Sequence, residues 1–235
     1  MARNTHDHLA ELIYQVRDKL TPEQAGGTGG SEGLGTKVLD VVYLVGCYHF
    51  ARWWHAPEEE KTDDELTATG SLSGPRSELR DADATPEAVL AALRAHTHAH
   101  LACHGVRDPA DPSQSRLLLH GDDLAPRQLA AERLRGAEFA YLSACHSAAP
   151  GKELADEVIS VASAFQLCGY RHVIGSLWTV EDDMGPLLAQ EVYRLLGAPD
   201  TPGTAHALHR AIGKLRQHDR YREPLFWASV VHSGP

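Results

Sequence analysis

The chain has 235 residues, 43% of them hydrophobic and 23% charged, an ordinary balance for a soluble globular protein with room for one sizeable domain. A formal net charge of -10, with no run of Lys and Arg to offset it, repels phosphate backbones and argues against nucleic acid as a direct partner. Cys47, Cys103, Cys145 and Cys168 lack the paired spacing of a zinc ribbon and the density of a disulfide framework.

Residues 1–8 contain no apolar core with a small-residue cleavage site, so no secretory signal is expected. Leu9, Leu12, Ile13, Val16 and Leu20 fall at helical spacing, and Thr21-Pro22 closes that amphipathic helix. Six glycines between Gly26 and Gly35 then form a flexible linker. A second helix is predicted over 36–54, with Val38, Val41, Val42, Val45 and Tyr48 along one side, ended by Pro57 and the acidic Glu58-Glu59-Glu60. The longest apolar stretch, 38–51, contains Asp40 and His49 and is too short to cross a bilayer, so it reads as a buried helix and no membrane partner is expected. Residues 1–57 therefore read as a small helical extension of two helices, and a reducing cytoplasm, where thiols stay free, as the working compartment.

From residue 71 onward helices and strands alternate. The stretch 71–83 offers no convincing strand. Thr85-Pro86-Glu87 combines a capping hydroxyl, a first-turn proline and an acid near the positive end of the dipole, which starts a helix running to about 95. Strands are predicted over 98–102, 116–119, 138–143, 171–177 and 225–231, and helices over 126–134, 155–168, 184–196 and 204–217. Interleaving of this kind predicts an α/β domain over 71–235, a mainly parallel sheet flanked by helices on both faces. Reactive groups in such sheets gather beyond the carboxyl ends of the strands.

Two strand ends carry groups fit for chemistry. His100-Leu101-Ala102-Cys103-His104-Gly105 delivers a histidine where glycine allows a sharp turn, and Tyr141-Leu142-Ser143-Ala144-Cys145-His146 delivers a cysteine. A thiol needs a base or a positive neighbour to become a nucleophile near neutral pH, and histidine supplies both. Taken singly, Cys145 reads as a small apolar core residue and His104 as a loop histidine. A second reading gathers His96, His98 and His100, which alternate along an extended strand, with Cys103 or Cys145 as a zinc site; three ligands rarely come from one strand. Trp178 and Trp227 read as core aromatics, and His146 as a partly exposed loop residue or one that shapes the pocket.

The stretch from about 71 to the end resembles a CHAT domain, of the caspase, separase and gingipain group of peptidases. The resemblance rests on the motif at 100–105, Leu-Ser-Ala-Cys at 142–145, the run from Asp156 to Trp178, and Pro224-Leu225-Phe226-Trp227-Ala228, in the family's order. It implies a caspase-like fold and an intracellular cysteine endopeptidase acting on a protein substrate through a dyad of Cys145 as nucleophile and His104 as general base. Backbone N–H groups of Gly105 and Cys145 would form the oxyanion hole, Gly105 because a missing side chain lets substrate approach the backbone. No metal and no cofactor are expected, and the resemblance allows a helical-repeat or activator partner. One of Asp156, Glu157 and Asp182 would recognise a basic side chain before the scissile bond; the alternative for the first two is compensation of a helix dipole in its first turn. CHAT domains usually open with further strands before the histidine strand, so the stretch 71–83 predicts a shortened early sheet. That shortening leaves a catalytically silent interaction scaffold as the alternative function.

Overall fold

The computed structural model describes residues 41–46, 76–106, 115–149, 160–181 and 183–235. Its strands in chain order are β1 (Val41–Gly46), β2 (Arg76–Arg80), β3 (His98–Cys103), β4 (Gly105–Val106), β5 (Arg116–Leu118), β6 (Asp123–Leu124), β7 (Phe139–Ser143), β8 (His172–Ser176) and β9 (Val230–Ser233). The helices are α1 (Pro86–Ala95), α2 (Pro126–Ala131), α3 (Val161–Cys168), α4 (Met184–Leu196), α5 (Thr204–Leu215) and the single turn α6 (Pro224–Trp227). Six strands form one sheet in the order β2-β1-β3-β7-β8-β9. All neighbours run parallel except β8 and β9. A separate antiparallel sheet of β4, β5 and β6 begins one residue beyond β3.

Alternation along the central strands divides the core between the two faces of the sheet. Ala99, Leu101 and Cys103 of β3 join Ala140 and Leu142 of β7 against Val89, Leu93, Leu129 and Phe165 from α1, α2 and α3. Phe139 and Tyr141 turn the other way, with Ile174, onto Leu188, Val192, Ala207 and Ala211 of α4 and α5. Each large side chain fully enclosed in this way contributes roughly 1.5–3 kcal/mol. Strands buried on both faces read as nearly continuous apolar runs, as β7 does, whereas β3 is fully buried with His98 and His100 among its apolar residues. The α1 start is as predicted: Thr85 Oγ1 accepts from the Ala88 N–H at 3.3 Å, and Pro86 fills the first turn.

The structure corrects the sequence reading in four places. Residues 41–46, expected inside a helix over 36–54, form a strand between β2 and β3; a short apolar run rich in β-branched residues serves an inner strand as readily as a helix. Arg76–Arg80 is a strand where none was expected, an edge strand whose residues alternate exposed and half-buried and so lack an apolar signature. The strand expected over 225–231 divides into the turn α6 and the strand β9, because Pro224 starts a helix. Trp178 and Trp227 are half-buried rather than enclosed: Trp178 Nε1 donates to the Leu225 carbonyl, while Trp227 packs against the edge of the core with the Arg216 guanidinium 4.4 Å from its ring centre. The helix expected over 9–20 and the glycine linker lie outside the described residues. Among the described residues no helix is long and apolar enough to cross a membrane.

Candidate active site

Strands β3 and β7 are parallel neighbours, and the last registered pair at their carboxyl ends is Ala102 with Ser143. Two residues further along each chain come His104 and Cys145, both half-buried. The backbones stay in close contact past the ladder. A Cβ built on Gly105 would stand 2.2 Å from the Cys145 carbonyl oxygen and 3.5 Å from its nitrogen. Gly105 is therefore glycine first because the turn at Cys145 occupies the space of a side chain, a different reason from the substrate access expected from sequence. The chain leaving His104 is pinned by the small sheet: the His104 carbonyl accepts from Leu118 N–H at 2.9 Å, and Gly105–Val106 pairs with β5.

Beyond β7 the chain folds into a turn that begins at Cys145. His146 takes a left-handed backbone, φ 59°, which bends the chain directly after the thiol. Two buried hydroxyls brace this turn against β8. Ser147 Oγ accepts from Ser176 N–H at 2.9 Å, and Ser176 Oγ donates to the Ala144 carbonyl at 2.8 Å. The Ala148 N–H donates to the Ser176 carbonyl at 2.8 Å, and the Ser147 carbonyl accepts from Ala162 N–H in the first turn of α3 at 2.9 Å. The sequence reading missed Ser147 and Ser176. Ser176 ends the apolar run of β8, whereas Ser147, after Cys145-His146, has no such mark in the sequence.

The loop after β8 forms the adjoining rim. Leu177 N–H donates to the Ser229 carbonyl at 2.8 Å, and Thr179 Oγ1 meets His146 Nε2 at 3.3 Å. Arg220 reaches back to Glu181 at 3.1 Å and to Asp183 at 2.7 Å. Asp156, Glu157 and Asp182 lie outside the described residues.

The other described cysteines are enclosed. Cys103 is 7% exposed in the core, and Cys168 is 1% exposed with its thiol donating to the Phe165 carbonyl at 3.1 Å. Burial pushes the Cys168 thiol up to about 11. The histidines weighed as zinc ligands part company. His96 caps the end of α1, bonded to the Ala92 carbonyl and to Ser77 Oγ at 3.0 Å each. His98 abuts Phe139, while His100 is fully buried, stacked on Tyr141 and bonded through Nδ1 to Tyr193 Oη at 2.6 Å. Among the described residues no three His, Cys, Asp or Glu side chains gather as a metal site.

A family model described as the CHAT domain matches residues 17–235. Among solved structures, a chain of the Saccharomyces cerevisiae separase–securin complex superposes with a TM-score of 0.59 at 17% identity, over 84% of this chain and 12% of that one. The arginine-specific cysteine proteinase gingipain R gives a TM-score of 0.61 at 10% identity, over 86% of this chain and 48% of that one. The complex of gingipain pro- and mature domains from Porphyromonas gingivalis gives 0.55 at 12% identity, over 83% and 47%. This chain thus spans less than half the length of each of these proteins. No curated protein matches it in sequence. With the six-stranded sheet, its flanking helices and both motif-bearing strand ends inside the matched span, the chain shares its fold with caspase-like cysteine peptidases and belongs to the CHAT domain family.

Proposed function

We propose that the chain is a cysteine endopeptidase that cleaves a protein substrate, with Cys145 as nucleophile and His104 as general base. The observation that carries this reading is the backbone contact between Gly105 and Cys145, two residues past the registered ends of β3 and β7, which sets the histidine and cysteine segments side by side. Cys145 is also more open than the enclosed Cys103 and Cys168. In the proposed reaction His104 takes the thiol proton and the sulfur attacks the peptide carbonyl. The negative oxygen is held by the N–H groups of Gly105 and Cys145. The C–N bond then breaks as His104 protonates the leaving amine. Water, deprotonated by His104, releases the acyl group from sulfur.

The acidic loop after β8 supports a basic side chain before the scissile bond, recognised by one of Asp156, Glu157 and Asp182. The intramolecular pairing of Arg220 with Glu181 and Asp183 supports the capacity of that loop to hold a guanidinium. A reducing compartment such as the cytoplasm suits a free thiol, and a helical-repeat or activator partner suits a domain of this family. The rival reading, a silent scaffold, drew on a shortened early sheet, and β1 and β2 supply those strands.

Mass spectrometry of a library of unstructured peptides, incubated with the parent, Cys145→Ala and His104→Ala, tests the reading. Cleavage by the parent should vanish in the cysteine variant and fall by about 100-fold or more in the histidine variant. Undiminished cleavage by Cys145→Ala would overturn it.

A further inference from the structure

His146 follows the proposed nucleophile and has three features that packing alone does not require. Its backbone sits in the left-handed region at φ 59°, which few residues other than glycine occupy, although histidine, with asparagine and aspartate, enters it more readily than most. Its Nδ1 is buried, with no hydrogen-bond partner. Its other nitrogen, Nε2, crosses to Thr179 Oγ1 at 3.3 Å, on the loop after β8. Glycine would meet the backbone demand without a side chain to bury, and a burial-driven choice would avoid an unmatched nitrogen. What the imidazole adds is the link between two loops: the turn that carries Cys145 and the rim that begins at Leu177. The Ser147–Ser176 bonds fix the far side of the turn, and the His146–Thr179 bond fixes the side next to the thiol.

We propose that His146 is a positioning residue, whose bond to Thr179 holds the start of the turn so that the Cys145 thiol stays aimed at His104. This rests on the reading of Cys145 and His104 as a reacting pair. Backbone strain is tolerated at this position because the ring it carries steadies the nucleophile.

The test follows the rate of iodoacetamide alkylation of each cysteine by mass spectrometry, alongside thermal unfolding, in His146→Gly, Thr179→Val, Thr179→Ser and the double variant His146→Gly/Thr179→Val. In the parent, Cys145 reacts far faster than Cys103 and Cys168. His146→Gly and Thr179→Val each slow Cys145 by about fivefold, the worth of one hydrogen bond. The double variant is no slower than either single one, and Thr179→Ser keeps the parental rate. The melting temperature of His146→Gly is no lower than the parent's, since glycine accepts the left-handed backbone, so the slower thiol cannot be put down to unfolding. Parental rates in both single variants, or losses that multiply in the double variant, overturn the positioning role while leaving the reacting pair intact. A parent whose Cys145 is no faster than its other thiols overturns the pair and this inference with it.

Discussion

Gly105 carries more of the site than its size suggests. The distance of 2.2 Å that a Cβ would reach from the Cys145 carbonyl oxygen is far inside contact, and the obstacle is backbone, which cannot rotate away. Gly105→Ala should therefore lower stability by about 1–3 kcal/mol, in the range of overpacking, or push the turn at Cys145 aside. Urea unfolding, read together with the alkylation rate of Cys145, distinguishes the two; a variant parental in both would show that the contact is soft. The sequence made both candidate residues legible, because each ends an apolar strand and one is followed by glycine. It could not reveal what the glycine faces, because that neighbour lies forty residues further along. Nor could it reveal Ser147, Ser176 or the left-handed His146. A lone hydroxyl or a single backbone angle leaves no periodic mark.

At the level of elements, the pairing of β8 with β9 brings two histidines together on one face. His172 Nδ1 and His232 Nε2 lie 3.1 Å apart with their rings stacked. Burial, with the neighbouring charge of His172, pushes His232 down to about 4. His172 is lowered too, first by burial and then by Arg171, with Glu138 opposing. A histidine whose folded pKa lies below its unfolded value of about 6.5 binds its proton more readily in the unfolded chain. The stability this pair supports is thus whole above about pH 6.5 and is lost as the pH falls toward 4. The loss through His232 is on the order of 2 kcal/mol after allowance for its partial exposure. Urea titrations at pH 7 and pH 4.5 should show that loss, and His232→Asn should remove most of the difference. An unchanged difference would place the acid sensitivity elsewhere. The same edge shows where element reading from sequence fails. α4 matched its predicted bounds because thirteen residues carry a clear helical stripe. In the C-terminal apolar stretch, a proline-started turn and a four-residue strand are each too short to show a period.

On the scale of the whole molecule, the sheet does not divide where composition changes. The glycine linker and acidic stretch suggested a boundary near residue 71, yet β1 lies between β2 and β3 and pairs with both. A chain begun at residue 71 would lose the strand that joins β2 to the rest of the sheet and would bare the whole edge of β3, the strand that precedes His104. Such a truncation should be insoluble or lack a cooperative unfolding transition, whereas a chain begun at residue 17, where the family match starts, should retain one. Circular dichroism of the two melts decides between them, and a cooperative fold from residue 71 onward would show β1 to be dispensable.

The β3–β7 register also separates the protein from a chemical trap. In the native pairing the register ends at Ala102 with Ser143, and Cys103 faces the core. Moved by a single residue, the same two strands would set Cys103 level with Cys145, two sulfurs in place of an imidazole and a sulfur, and an oxidant could lock the error in place as a disulfide. One rung of the ladder thus divides the native pairing from a misfolded cross-link, a hazard that a reducing environment removes.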